Sequence, residues 1–542
     1  MNFKFLFSAL FLVGIPIASL FAQIADIDHV RYEVLSIGSK TCRVLTSDLN
    51  LKGNVVIPDS VTIDGSKYGV IRIGDFAFHG RYQMRGVVLP EILQHIDDGA
   101  FMNCTGLIEI TLPASLESIG EYAFAQCSQL WRFFVAPDNR FFSTDNDYAL
   151  FDKSKTTLYY YPSGKMVVPD TKPYVVPSTV EHIGSYAFFN NKGLTAITFP
   201  EGLKTIGASA FSICRNLEHF DFPAGLESIG KYCFEFDSKI KEVLIPVGVR
   251  KIGEGVFKDC SSLRAINVAA GNDNYVSVGG NLYTKDRTLF VAYPAASDNS
   301  MLKLDERVTS VGAAAFAGAS KLLSVQLPEG LTRIGVSAFS TCEGLKDFVV
   351  PAGVKRIPQD CFWSCTNLEK VVLKENVSYI GGTAFAFCDA LKEIELPASV
   401  YHIMGTAFDN SGIQVIKAWS PEPPEWSAGL SEVFNAAGCV VYVPEKSVFN
   451  YKITEGWSLF KEIKPLQSTG MQAVSADFKI CVNGNTLVLT GNIAGKMIHV
   501  YSVAGNLVYN GAMTSDMVSI DLPHSGIYFV KIGDKTLKVR IV

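Results

Sequence analysis

Several stretches of this sequence carry residue types at spacings that chemistry uses. Gly225-Leu226-Glu227-Ser228-Ile229-Gly230-Lys231 has the spacing of a phosphate-binding loop, in which backbone amides cradle phosphates and the lysine reaches the outermost ones. That chemistry also needs a Ser or Thr hydroxyl on magnesium directly after the lysine, and Tyr232 stands there instead. Cys361 and Cys365 could hold a soft metal. Glu393 and Glu395 offer paired carboxylates for general acid and base work. The run Tyr159-Tyr160-Tyr161 could stack against sugar rings. The 8 histidines are scattered, and neither a Gly-x-Ser-x-Gly elbow nor a His-Glu-x-x-His pair occurs. No catalytic, cofactor-binding or metal-binding constellation emerges, so an enzyme is not expected.

The elements that must position these residues are repeats. Ile119-Gly120-Glu121-Tyr122-Ala123-Phe124-Ala125-Gln126-Cys127 is one copy of a phrase that returns along the chain. Its phenylalanine falls at Phe78, Phe101 and Phe124, then at Phe188, Phe211, Phe234 and Phe257, then at Phe316, Phe339, Phe362, Phe385 and Phe408. Within each group the spacing is 23 residues, and a fixed period of that size is the mark of a solenoid. The companion phrase, as in Leu391-Lys392-Glu393-Ile394-Glu395-Leu396-Pro397, alternates like a strand and is closed by a proline that has no amide to donate. The Ile-Gly-x-x-Ala-Phe half turns the chain back, with glycine for close approach and Ala-Phe pointing inward. One turn buries apolar side chains worth roughly 10–20 kcal/mol. Ordering its backbone costs at least as much, so turns are stable only when stacked. The repeat also accounts for the chemical decoys. Both glycines of the phosphate-loop spacing are repeat glycines, Cys361 takes the place of the repeat's alanine, and Glu393 and Glu395 lie on one repeat strand.

The 23-residue phrase resembles the bacterial leucine-rich repeats of the BspA-like (Treponema-type) surface protein family, over about Ile71 to Ala418. The resemblance implies a mainly β leucine-rich-repeat solenoid and a role in adhesion. On the repeat strands, residues flanking the central Ile point outward and form the candidate ligand surface: Arg132 and Phe134, His219 and Asp221, Glu242, Asp347, Lys370, Glu393 and Glu395. The expected partner is a protein or a glycan. A surface glycan-binding component using the Tyr159–Tyr161 run and a structural envelope protein are the alternatives.

The chain has 542 residues, a formal net charge of −5 and 12 cysteines. No basic field invites nucleic acid. Cys104, Cys127, Cys214, Cys260, Cys342, Cys365 and Cys388 each sit three residues after a marker phenylalanine. They read as a ladder of buried thiols, with neighbouring rungs also within disulfide reach.

Residues 1–22 read as a signal peptide, Met1-Asn2-Phe3-Lys4 followed by an apolar run broken by Pro16. Residues 23–72 are expected to form an N-terminal β cap and 73–418 the solenoid. Its period breaks at two similar β-hairpin inserts, about 135–175 and 268–305. A C-terminal cap spans 419–466, a linker 467–476 and a small β-sandwich 477–542. The run Gly526-Ile527-Tyr528-Phe529-Val530-Lys531 and the final Lys538-Val539-Arg540-Ile541-Val542 resemble the C-terminal sorting domain of the type IX secretion route. That resemblance implies export machinery as a partner and a secreted or outer-surface location. No later segment has the length and apolarity of a transmembrane helix.

Overall fold

The computed structural model describes residues 23–164, 173–466, 478–483, 485–491, 496–512, 517–532 and 535–541. The expected signal peptide and linker lie outside the described residues. The described residues form two compact units, one from 23–394 with 402–413 and 425–435, the other from 395–401 with 414–424 and those from 436 onward.

In the first unit most solenoid turns supply strands to two parallel ribbons. The first ribbon is built from the alternating phrase, in strands such as Glu109–Leu112, Arg132–Val135, Glu242–Ile245, Asp347–Val350 and Lys370–Leu373. Their registers advance by one repeat, pairing Glu109 with Arg132 and Asp347 with Lys370. Alternate residues of these strands enter the core, which leaves the others on an outward face.

A second ribbon lies where the sequence predicts only a return turn. Two-residue strands at Ser118–Ile119, Thr205–Ile206, Ser228–Ile229 and Lys251–Ile252 form parallel ladders with their neighbours. The glycine after each isoleucine makes this stacking possible. A Cβ on Gly207, Gly230 or Gly253 would lie 2.3–2.4 Å from a backbone nitrogen of the preceding turn, where no side chain fits.

The Ala-Phe corner forms a third set of inter-turn bonds. The Phe101 amide donates to the Ala123 carbonyl at 2.8 Å, and Phe188 to Ala210 at 2.7 Å. Residues two before and two after the phenylalanine take left-handed backbone, as at Tyr122 (φ 60) and Gln126 (φ 63), or Tyr232 (φ 52) and Phe236 (φ 62). Non-glycine residues seldom adopt this conformation, and the cost is offset because it aims the intervening amides at the next turn. Inside, the phenylalanine rings stack face to face. Phe101 lies 5.2 Å from Phe78 and 5.5 Å from Phe124, with interplanar angles of 3° and 1°.

The unit begins with antiparallel strands Ile24–Ile27, Val30–Ser36 and Thr41–Ser47, the last of which pairs in parallel with Ser66–Ile73 and so starts the second ribbon. At each break in the period three strands run antiparallel before rejoining that ribbon. They are Phe142–Thr144, Leu150–Asp152 and Thr157–Tyr160, then Tyr275–Val278, Asn281–Thr284 and Leu289–Ala292. One buried asparagine organises each break. Asn139 and Asn272 both donate from Nδ2 to carbonyls of the preceding turn and accept two amides on Oδ1.

In the second unit, strands Val415–Ala418, Val440–Val443 and Glu462–Pro465 are parallel. The helix Val448–Ile453 buries Tyr451, whose hydroxyl donates to the Ser420 carbonyl at 3.0 Å. The last strands form two antiparallel sheets, Phe478–Asn483, Thr486–Gly491 and Met517–Asp521 against Leu507–Ala512, Met497–Ser502, Gly526–Ile532 and Lys535–Ile541. Leu487, Leu489, Val500 and Val530 share one core between them, which makes a sandwich. No helix among the described residues is long and apolar enough to cross a membrane.

Candidate ligand-binding face

The outward positions of the first ribbon differ in what surrounds them. Arg132 donates from Nε to a Glu109 carboxylate oxygen at 2.5 Å. Its guanidinium also lies over the rings of Trp131 at 4.2 Å and Phe134 at 4.7 Å. Tyr148, carried in by the first break, meets Trp131 at 6.2 Å and Phe134 at 5.9 Å. Trp131 and Tyr148 are each 36% exposed. The result is an accessible cluster of three aromatic rings around one cation, held by a carboxylate. The sequence reading named Arg132 and Phe134 but passed over Trp131 and Tyr148. Trp131 could have been found, because equivalent positions in other turns hold Lys241, Lys346 and Lys392.

His219 and Asp221 are exposed, but the stretch that carries them is not a strand. Its ladder shrinks to a single bridge between Ala196 and His219. Phe199, Phe220 and Phe222 crowd together here, with ring contacts of 5.1–6.3 Å. Glu242 is exposed beside Leu244, and Asp347 and Lys370 are exposed neighbours in register beside Val349 and Val372. Glu393 is exposed in the first unit. Glu395 belongs to the second, where it accepts the Trp419 indole N–H at 2.6 Å. Continuous pairing therefore gathers Glu109, Arg132 and Phe134 on one sheet, and Asp347 and Lys370 on another.

Elsewhere on the solenoid, charges pair one turn to the next: Glu181 with Lys204 at 2.5 Å, Glu218 with Lys241 at 2.5 Å, and Glu235 with Lys258 at 2.8 Å. The Lys204 hydrogen bond lowers the Glu181 pKa. The first two pairs are solvent-exposed and add little to stability, whereas Glu235–Lys258 is partly buried.

The decoys resolve into packing. Tyr160 and Tyr161 are each 6% exposed and sit in the core, Tyr160 at 5.6 Å from Phe124 and Tyr161 at 5.1 Å from Phe188. They fill the gap left in the phenylalanine stack, and Tyr159 is half-buried against Phe142, so the run packs locally and two of its three rings are not open to a sugar. The ladder cysteines have a defined job. Each thiol donates to the carbonyl of the phenylalanine one turn back, Cys104 to Phe78 at 3.0 Å, Cys365 to Phe339 at 3.0 Å and Cys388 to Phe362 at 3.1 Å. Burial pushes the Cys104 thiol up to about 12 and those of Cys127, Cys214 and Cys365 well above their ordinary value. Eleven of the 12 cysteines, Cys361 included, are buried and free, and no group of three or more potential ligands among the described residues could hold a metal.

Two ribbons, a phenylalanine stack and a buried thiol ladder define a leucine-rich-repeat solenoid. The chain belongs to the BspA-type leucine-rich repeat family, whose repeat region matches in six copies over residues 56–163, 170–284 and 295–414. No curated protein matches it. Among solved structures it is similar to the pneumococcal vaccine antigen PcpA, at 18% identity over 82% of this chain and 99% of that one, with a TM-score of 0.48. A leucine-rich cell surface protein from Faecalibacterium prausnitzii is 18% identical over 83% of this chain and 96% of that one, with a TM-score of 0.37. A leucine-rich repeat protein from Bacteroides ovatus is 24% identical over 81% and 98%, with a TM-score of 0.35.

Proposed function

We propose that this protein is an exported, cell-surface scaffold that binds a host or neighbouring-cell macromolecule through the outward face of its first ribbon. The observation that carries this reading is the Trp131, Arg132, Phe134 and Tyr148 cluster. Tightly bound protein interfaces are anchored by Trp, Tyr and Arg side chains near their centre, and here these types converge on a face otherwise lined by scattered charges and single aliphatic side chains. Glu242, Asp347, Lys370, Glu393 and the exposed His219 and Asp221 supply the polar surroundings in the same reading. The C-terminal sandwich serves as the export address.

The test is saturable binding of the purified chain to immobilised extracellular-matrix proteins and to a polysaccharide panel, beside a variant with Trp131→Ala and Arg132→Ala. Loss of two such anchors is expected to weaken protein binding at least about 30-fold, since truncating one anchor costs about 2 kcal/mol. Protein binding that survives the double substitution unchanged sinks the assignment of this face. Binding to polysaccharides alone moves the partner to the glycan class.

A further inference from the structure

The position three residues after the marker phenylalanine is a donor position. Cys214 donates its thiol hydrogen to the Phe188 carbonyl, and Cys260 to the Phe234 carbonyl, each at 3.0 Å. Asn191 holds the same position one turn earlier and donates its amide to the Pro162 carbonyl at 3.2 Å. Between Cys214 and Cys260 the position is occupied by Asp237. Its side chain is fully enclosed, at 0% exposure, and neither carboxyl oxygen has a hydrogen-bond partner.

A carboxylate there has no hydrogen to give and would turn its charge and lone pairs toward a buried carbonyl. An ionised carboxylate there would act on three buried thiols, Cys214 and Cys260 from the turns on either side and Cys233 from its own, pushing each further up. Burial is the largest influence on the Asp237 carboxyl and raises it, the nearby Cys214 backbone amide lowers it, and the charged group acting on it is Glu235, an anion that raises it and whose own partner is Lys258 at 2.8 Å. By the geometry of the ladder, the acceptor facing position 237 is the carbonyl of Phe211.

We infer that Asp237 stands in the folded solenoid as a neutral carboxylic acid donating to the Phe211 carbonyl, and that its ionisation is a pH-operated release for the turns between Phe211 and Phe257. The amides of Phe211 and Ile213, which donate to Cys233 and Glu235 at 2.9 and 2.7 Å, span the released interface. Burial raises the folded carboxyl above its ordinary 3.8, so the folded state holds a proton that the unfolded chain gives up. The sign follows. The contribution is complete below the ordinary carboxyl value and is lost as pH rises, until the folded acid itself ionises. Over that interval the folding constant of the wild type falls tenfold per pH unit relative to a chain with no titrating group at this position.

The full chain and Asp237→Asn are unfolded in urea at steps from pH 5 to pH 9, with hydrogen exchange followed at the Phe211 and Ile213 amides. Asparagine keeps the donor, as Asn191 does, and cannot ionise. The expected result is a stability difference that widens in favour of the variant as pH rises, with exchange protection at both amides falling faster in the wild type. Infrared spectra should show a buried protonated carboxyl band in the wild type that the variant lacks. Asp237→Cys restores the common rung and should behave likewise, and it decides the question if the asparagine variant does not fold. Parallel pH curves, or both variants weaker than wild type at every pH, overturn the inference.

Discussion

Gly225 and Gly230 separate a packing account of the solenoid from a ligand account, because only one of the two glycines should resist a side chain. A Cβ on Gly230 would lie 2.4 Å from the Ala208 nitrogen and 2.4 Å from the Gly207 carbonyl carbon. Both are backbone atoms of the preceding turn, so no side chain can swing away. Relief requires the turns to part by about 1 Å. That would stretch the bond from the Gly230 amide to the Ile206 carbonyl, which is 2.8 Å long. Overpacking against rigid neighbours costs about 1–3 kcal/mol, and this site lies at the upper end. Gly230→Ala is therefore expected to lose about 3 kcal/mol. On Gly225 a Cβ meets only the Glu201 carbonyl oxygen at 3.6 Å, an ordinary contact. Its φ is not positive, so Gly225→Ala should be neutral or gain about 0.4–1 kcal/mol through a less flexible unfolded chain. Urea unfolding followed by far-UV circular dichroism reads both. A Gly230→Ala unfolding free energy within about 1 kcal/mol of wild type, or equal losses at the two positions, would refute the claim that backbone contact between turns dictates these glycines.

Two further outcomes follow from the same structure. Alkylation of the native protein at pH 8 should leave the ladder cysteines Cys104, Cys127, Cys214 and Cys365 unmodified, because burial keeps them as thiols, whereas denatured protein should react at all four; mass spectrometry of the digested chain reads the difference. Asp305 is held below its ordinary 3.8 first by its hydrogen bonds to Arg307 and Arg287, so its contribution is present above that value and lost as pH falls through the lowered one. Asp305→Asn should accordingly lower the unfolding midpoint at pH 7, and the difference should shrink in acid.

Much of this was legible because stacking turns a linear period into a column. Once Phe101 and Phe124 are seen 23 residues apart, their contact and the alignment of Cys104 with Cys127 follow. The second ribbon was not legible, since a strand of two residues such as Ser228–Ile229 shows no alternation. Left-handed backbone was hidden as well, because Tyr232 and Phe236 occupy it where glycine would have announced it. The outward strand positions were readable from alternation, yet the cluster around Arg132 was only half seen. Tyr148 reaches it through a break in the period, where no spacing rule applies. Tyr160 and Tyr161 left two readings open for a related reason. Tyrosines in a break suit a surface platform or local packing, and only the interrupted phenylalanine stack shows that the core needed filling there.

The direction of the bonds between turns sets how such a chain can change length. In the second ribbon the Gly120 amide reaches back to the Ile96 carbonyl at 2.7 Å, while at the corner the Phe101 amide reaches forward to the Ala123 carbonyl at 2.8 Å. A turn that carries the full phrase, such as that of Gly207 and Phe211, thus gives and receives on both sides, in a register fixed by its glycine and its phenylalanine. A duplication or loss of one whole turn returns each donor to an equivalent acceptor. A gain or loss of part of a turn leaves donors facing the wrong atoms, and the surplus has to be looped out before the register resumes. Length in this molecule is quantised, and the excursions after Phe124 and Phe257 are where fractional additions have been set aside without shifting the column.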